Sequence, residues 1–340
     1  MAKILVSIIS YGEKDLRSTV LHCYENSSNK ENLFFSIVDE QPATDDFSSF
    51  PEIPESQILY RTYDTSEYRG ILWARDLTTQ VPVDYRFVLY ICGHTRFAPG
   101  WDAIAARELH KAKKKSATGK AVLTYCQADF SVTETSNFDT INTYNGRNKN
   151  VFHQPGCLSS LIPGYGFPGA AWVPEGEEVH EGCWLHFTWA FAEKSFVDEV
   201  PLRPDINFHA EEPYMTVLAW CRGWRFFATP KLTSWHQMHK KYPDEKHVRI
   251  ATHRPWADKN KDAFWANSNH SVKQLNELLS GRVSGKYGDV EKKKVLEFCS
   301  FSGLDRKWTQ YDPNYDALNA LRHGHELRFS PIIPYEKTIG

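Results

Sequence analysis

The chain has 340 residues, 41% hydrophobic and 24% charged, enough for one large core with an appendage. Its 40 Lys and Arg against 42 Asp and Glu give a formal net charge of −2, which excludes a generally basic, nucleic-acid-coating protein, though not a local basic groove. The 7 cysteines are scattered without a CxxC pair, which argues against a zinc knuckle and suits a reducing compartment, and no apolar stretch approaches membrane-spanning length, so a cytoplasmic protein with no membrane partner is expected.

Lys3 to Ser10 is a continuous run rich in β-branched residues, broken at Tyr11-Gly12, and Leu16, Val20, Leu21 and Tyr24 follow at helical spacing. Leu33 to Val38 reads as a second strand that ends in Asp39-Glu40-Gln41, so a parallel βαβ opening is expected. After a Pro/Ser/Asp-rich loop, Ile58 to Arg61 returns as a short strand, and Tyr68 to Asp76 opens a helix that carries Arg75 on its early face. Phe87 to Ile91 has the length of a fully buried strand and stops at Cys92-Gly93-His94, just past a carboxyl end, where α/β sheets place ligands. Helix Trp101 to Lys111 and strand Ala121 to Tyr125 continue the alternation. The lysine clusters at 111–115 and 292–294 read as solvated helix faces.

From Gln127 to Pro168 periodicity is lost, and the stretch reads as a long functional loop. Beyond it, Trp184, Phe187, Trp189, Phe191 and Phe196 crowd one segment, either as core or as a stacking wall in which Trp184 and Trp189 would hold an acceptor. Glu211 and Glu212 open a helix whose apolar face is Tyr214, Val217, Leu218 and Cys221 and which Gly223 ends; a helix N-terminus favours carboxylates and alone accounts for one of the two. Strand Trp224 to Ala228 leads to Ser234-Trp235-His236. The expected organisation is an α/β domain over 1–242, a helical subdomain over 243–307 and a tail over 308–340.

An α/β sheet with a polar triplet after an inner strand, a double glutamate opening a later helix and a histidine after the following strand suggests a nucleotide-sugar glycosyltransferase. Such an enzyme must neutralise a diphosphate leaving group, usually with a divalent metal held by an acid-x-acid or acid-x-His element. The order of the elements carries this signal rather than any one of them.

In that order the chain resembles the cytoplasmic polypeptide N-acetylglucosaminyltransferases that glycosylate a hydroxyproline of a ubiquitin-ligase adaptor, with relatives in large DNA phages. The matching pieces are Val6 to Tyr11, Ser36 to Gln41, Gly70 to Arg75, Leu89 to Asp102, Ala210-Glu211-Glu212, Trp235-His236 and the helix Lys294 to Asp305. The resemblance implies a GT-A fold, a mixed sheet flanked by helices, and retaining transfer from a UDP-sugar. It implies that Ser10, Tyr11 and Asp39 lie near the uridine, with Arg75 at the ribose or phosphates. Cys92 and Gly93 join the donor site; His94 and His236 hold a metal or the diphosphate; and Glu211 or Glu212 faces sugar and acceptor as an orienting or proton-accepting group.

The chain departs from that pattern at one place: relatives carry Asp-Ser-His where Cys92-Gly93-His94 stands, and a thiol suits Mn²⁺ or Mg²⁺ poorly. Three outcomes follow: metal held by the two histidines and the diphosphate, metal-independent transfer, or a silent sugar-nucleotide-binding protein. The acceptor is expected to be a macromolecule, with 5-hydroxymethylated pyrimidine in phage DNA as the first reading and a serine, threonine or hydroxyproline of a protein as the second.

Overall fold

A strand covered on both faces needs apolar residues throughout, and Ile4–Tyr11 (β1) and Leu33–Glu40 (β2) are buried along nearly their whole length. The computed structural model describes residues 3–11, 13, 15–40, 50–64, 69–131, 142–143, 149–159, 167–207, 210–237, 239–240, 248–249 and 261–302. Between β1 and β2 lies Leu16–Glu25 (α1), and then come Ile58–Tyr63 (β3), Ile71–Thr79 (α2) and Phe87–Cys92 (β4). These four strands run parallel in the order β4-β1-β2-β3, so their carboxyl ends form one continuous rim.

The second half departs from the expected alternation. Thr95–Phe97 (β5) follows β4 after a two-residue turn, and Trp101–Lys115 (α3) leads to Ala121–Thr124 (β6). The expected long loop from Gln127 contains Ala128–Ser131 (β7), Asn142–Thr143 (β8), Val151–Ser159 (β9) and part of Phe167–Trp172 (β10), so its described parts are largely extended chain; β9 and β10 pair as an antiparallel ribbon. His180–Gly182 (β11), Trp189–Glu193 (β12), Lys194–Glu199 (α4), Glu211–Cys221 (α5), Arg225–Ala228 (β13) and Ser234–His236 (β14) complete the domain. β12 inserts antiparallel between β4 and β6, giving a mixed sheet of order β11-β13-β6-β12-β4-β1-β2-β3. A smaller sheet, β5-β14-β7-β8, stands beyond the carboxyl end of β4.

The pleat sends alternate residues of the large sheet into two cores. Leu5, Val88, Tyr90, Ala190 and Ala192 face α5, whereas Val6, Ile8, Leu89, Ile91, Trp189 and Phe191 face α1 and α3. Lys261–Leu279 (α6) and Lys292–Ser302 (α7) supply Leu275, Leu278, Val295 and Phe298 to the first core beside Tyr214, Val217 and Leu218 of α5. The C-terminal helices therefore pack on the main core; the 308–340 tail lies outside the described residues. Gly223 ends α5 as its sequence predicts, at φ +89°, a left-handed conformation that costs glycine little.

Candidate active site

Residues Cys92 to Thr95 leave β4 in a tight turn that is clamped from α1. The fully buried Thr19 donates its hydroxyl to the Gly93 carbonyl at 2.8 Å and accepts the Thr95 N–H at 3.0 Å, while Thr95 donates back to the Cys92 carbonyl at 3.1 Å. A Cβ at Gly93 would already touch Ser10 Cβ and the Glu13 side chain at 3.4 Å, so the glycine lets the ends of β1 and β4 close up. The small sheet then brings in the second histidine: β14 pairs antiparallel with β5, His236 opposite Thr95, and Gln237 N–H donates to the His94 carbonyl at 3.1 Å. The two imidazoles meet with ring centroids 4.5 Å apart.

One ligand atom each of Cys92, His94 and His236 lies within 4.8 Å of the others. Glu13 Oε1 sits 3.2 Å from His94 Nδ1. His236 is buried, neither ring nitrogen has a hydrogen-bond partner among the described residues, and burial with the neighbouring His94 pushes its pKa well down, so it is a neutral donor. Burial pushes the Cys92 thiol up, with Arg75 opposing and Glu13 and Glu212 reinforcing the rise.

Beneath this cluster lies Arg75 of α2, 1% exposed. It donates through Nη2 to the Phe187 carbonyl at 3.0 Å, reaches Cys92 Sγ at 3.9 Å and stacks over the Phe187 ring with 4.9 Å to the centroid. Its Nε and Nη1 are buried with no partner among the described residues. A buried cation with idle donors is costly unless an anion meets it.

The N–H of the same residue, Phe187, donates to Glu212 Oε1 at 2.9 Å. Glu212 also accepts the Trp184 indole N–H at 3.4 Å and faces His186 Nδ1 at 3.6 Å, and Cys126 Sγ lies 3.5 Å from that nitrogen. Burial disfavours a charged His186, yet Cys126 and Glu212 outweigh it and raise the imidazole to about 10. The 184–187 segment is fastened further by Leu185 N–H to Thr216 Oγ1 at 3.1 Å and His186 N–H to Thr124 Oγ1 at 2.8 Å. Glu211, on the same first turn of α5, is buried as well.

On the far side of the rim, Ser10 and Asp39 are register partners at the ends of β1 and β2, followed by Tyr11 and Glu40. Asp39 Oδ2 accepts the Tyr60 hydroxyl at 2.9 Å, and burial, with the Asp39 charge adding, raises Glu40 to about 7.

A family model described as Glycosyltransferase (GlcNAc) matches residues 47–307. The chain belongs to this glycosyltransferase family. No curated protein matches it by sequence. Among solved structures it is similar to GalNAc-T7 with UDP, GalNAc and Mn²⁺, at a TM-score of 0.54 and 14% identity over 96% of this chain and 58% of that one; the chain thus spans little more than half the length of this relative. It is also similar to Staphylococcus aureus TarS 1-349 (TM-score 0.47, 12% identity, 89% and 71% covered) and to the mannosyltransferase PcManGT from Pyrobaculum calidifontis with GDP-Man and Mn²⁺ (0.47, 13%, 88% and 69%). The fold of the glycosyltransferase is GT-A.

The structure gathers Ser10, Tyr11, Asp39, Cys92, Gly93, His94 and His236 along the rim, with Arg75 below Cys92 and Glu212 joined to it through Phe187. Trp189 is placed elsewhere: it lies on the central strand β12, fully buried against Phe97, Trp101 and Tyr125 with centroids 5.9 to 6.1 Å away, so its faces are covered. Trp184 is 2% exposed in the opposite core and meets the site through its indole N–H on Glu212. Sequence reading missed Glu13, Thr19, His186 and Cys126. Glu13 could have been suspected from its place just after the β1 break, but His186 is hidden in an aromatic run.

The Mn²⁺ or Mg²⁺ implied by the resemblance does not fit the cluster. Its donors are one sulfur and two imidazole nitrogens, and no carboxylate joins them among the described residues, whereas these hard ions seek oxygen.

Proposed function

We propose that the enzyme transfers N-acetylglucosamine from a UDP-sugar to a hydroxyl of a polypeptide, with retention of anomeric configuration. The observation that carries this reading is the buried, anion-seeking Arg75 joined through the backbone of Phe187 to a firmly held Glu212, both beside the carboxyl-end rim. The uridine sits over Ser10, Tyr11 and Asp39, and Arg75 stabilises the negative charge that develops on the departing diphosphate. Glu212 has its oxygens directed to the Phe187 N–H, the Trp184 indole and His186, which suits it to orienting a hydroxyl rather than removing a proton. In same-face transfer the leaving phosphate itself takes the acceptor proton, and no protein base is needed; an inverting enzyme requires one.

A polypeptide acceptor is favoured over DNA because the aromatic segment that could have stacked a flipped base is core. Three lysines of the basic runs are also engaged with carboxylates rather than left for phosphates: Lys111 with Glu108 at 3.0 Å, Lys113 with Glu193 at 2.6 Å and Lys294 with Glu291 at 3.4 Å. The test is incubation with radiolabelled UDP-sugars and either a hydroxyl-bearing peptide library or hydroxymethylcytosine DNA. Label on peptide from UDP-N-acetylglucosamine, in an α linkage by NMR, is expected; label on DNA alone, or UDP binding without turnover, overturns the proposal.

A further inference from the structure

We infer that Cys92, His94 and His236 form a site for a thiophilic divalent ion of the zinc class, in place of the manganese or magnesium that glycosyltransferases of this fold are expected to use.

The donor set itself points to this. Sulfur and imidazole nitrogen are the ligands of zinc and cobalt, and three such groups with one open position is the arrangement of a reactive rather than a closed structural site. Their donor atoms lie within 4.8 Å of one another; on one tetrahedral ion they would be about 3.3–3.7 Å apart, an inward movement of roughly 1 Å. A second and independent observation is His236, more than nine-tenths buried, with both nitrogens lacking a partner among the described residues and its ring directed at His94. Burying an imidazole idle on both nitrogens has a cost that a ligand removes. A third is Glu13, 5% exposed, whose carboxylate lies 3.2 Å from His94 Nδ1, beside the ring nitrogen through which a carboxylate orients a ligating histidine. The backbone fits as well, since Thr19 and the Gln237 N–H hold the turns that carry His94 and His236.

The inference uses the proposed donor site only to say what the open position faces, a diphosphate oxygen, and its test requires neither sugar nor acceptor. The full-length protein, freed of metal, is titrated with Co²⁺ and followed by absorption. One equivalent is expected to give intense visible bands of a tetrahedral ion and a near-ultraviolet thiolate-to-cobalt charge-transfer band, displaced by Zn²⁺. Competition should place Zn²⁺ about two orders of magnitude or more above Mn²⁺. Cys92→Ser should abolish the charge-transfer band, and Cys92→Asp should bring Mn²⁺ affinity up while Zn²⁺ affinity falls, with circular dichroism confirming that each variant is folded. A charge-transfer band that survives in folded Cys92→Ser, a protein that takes up no cobalt, or equal affinity for Mn²⁺ and Zn²⁺ would each overturn the assignment. Loss of transfer with metal binding intact would count against the proposed function and leave the ion site standing.

Discussion

Replacing Thr19 with valine tests how α1 supports the turn that carries His94. The substitution keeps the shape of the fully buried side chain but removes a hydroxyl that donates to Gly93 O at 2.8 Å and accepts from Thr95 N at 3.0 Å. Each buried backbone group left unpaired costs roughly 1–3 kcal/mol, so the pair costs about 2–4 kcal/mol after some relaxation of the turn. For a chain of this size, at about 2 °C per kcal/mol, the thermal midpoint should fall by roughly 4–8 °C. Differential scanning fluorimetry gives the midpoint, and transfer from radiolabelled UDP-sugar gives the second readout. The turn positions Gly93 and His94, so Thr19→Val should lose at least about tenfold in kcat/KM, corresponding to a change of 1.4 kcal/mol. Thr19→Ser keeps both hydrogen bonds and should restore most of the activity while losing one methyl group of packing. A Thr19→Val enzyme within about 1 kcal/mol of wild type and fully active would refute the claim that this hydroxyl holds the site.

Three further outcomes are expected. Glu212→Gln, which keeps the Phe187 N–H acceptor but breaks the ionic pairing with His186, should lower kcat about 10- to 100-fold with a much smaller change in KM for donor. Arg75→Lys removes the planar fork that meets Phe187 O and Cys92, so the Kd of UDP measured by calorimetry should rise by about an order of magnitude; an unchanged Kd would place the diphosphate elsewhere. Glu40 is an acid whose folded value is raised, from 4.5 to about 7, so its contribution to stability is present below the unfolded value and is lost as pH rises through that window. Glu40→Gln should therefore be more stable than wild type at pH 8, by about 2–3 kcal/mol, and show no such gain at pH 4.

The rim was legible because its strands are so plainly patterned. β1, β2 and β4 are continuous apolar runs that stop at polar residues, and parallel order puts all those stops on one side. The pairing of His94 with His236 was not legible from spacing, since it depends on β5 and β14, three-residue strands too short to leave a periodic trace. β12 misled for another reason: WAFAE lies in the middle of the sheet, and a central strand and a stacking wall ask for the same aromatic residues. The 127–168 stretch misled because ribbons such as β9 and β10 tolerate the Gly and Pro that otherwise signal loop. His186 and Cys126 come from different segments, and only the fold sets them 3.5 Å apart.

Phe187 bears on both halves of the site at once. Its carbonyl accepts from Arg75 and its N–H donates to Glu212, so the two successive peptide units that meet at its Cα are each fastened, one to the group assigned to the leaving group and the other to the group assigned to the acceptor. The two residues should also fail to add, and the Arg75→Lys, Glu212→Gln double variant should lose less transition-state stabilisation than the two single losses combined, by about 0.5–3 kcal/mol.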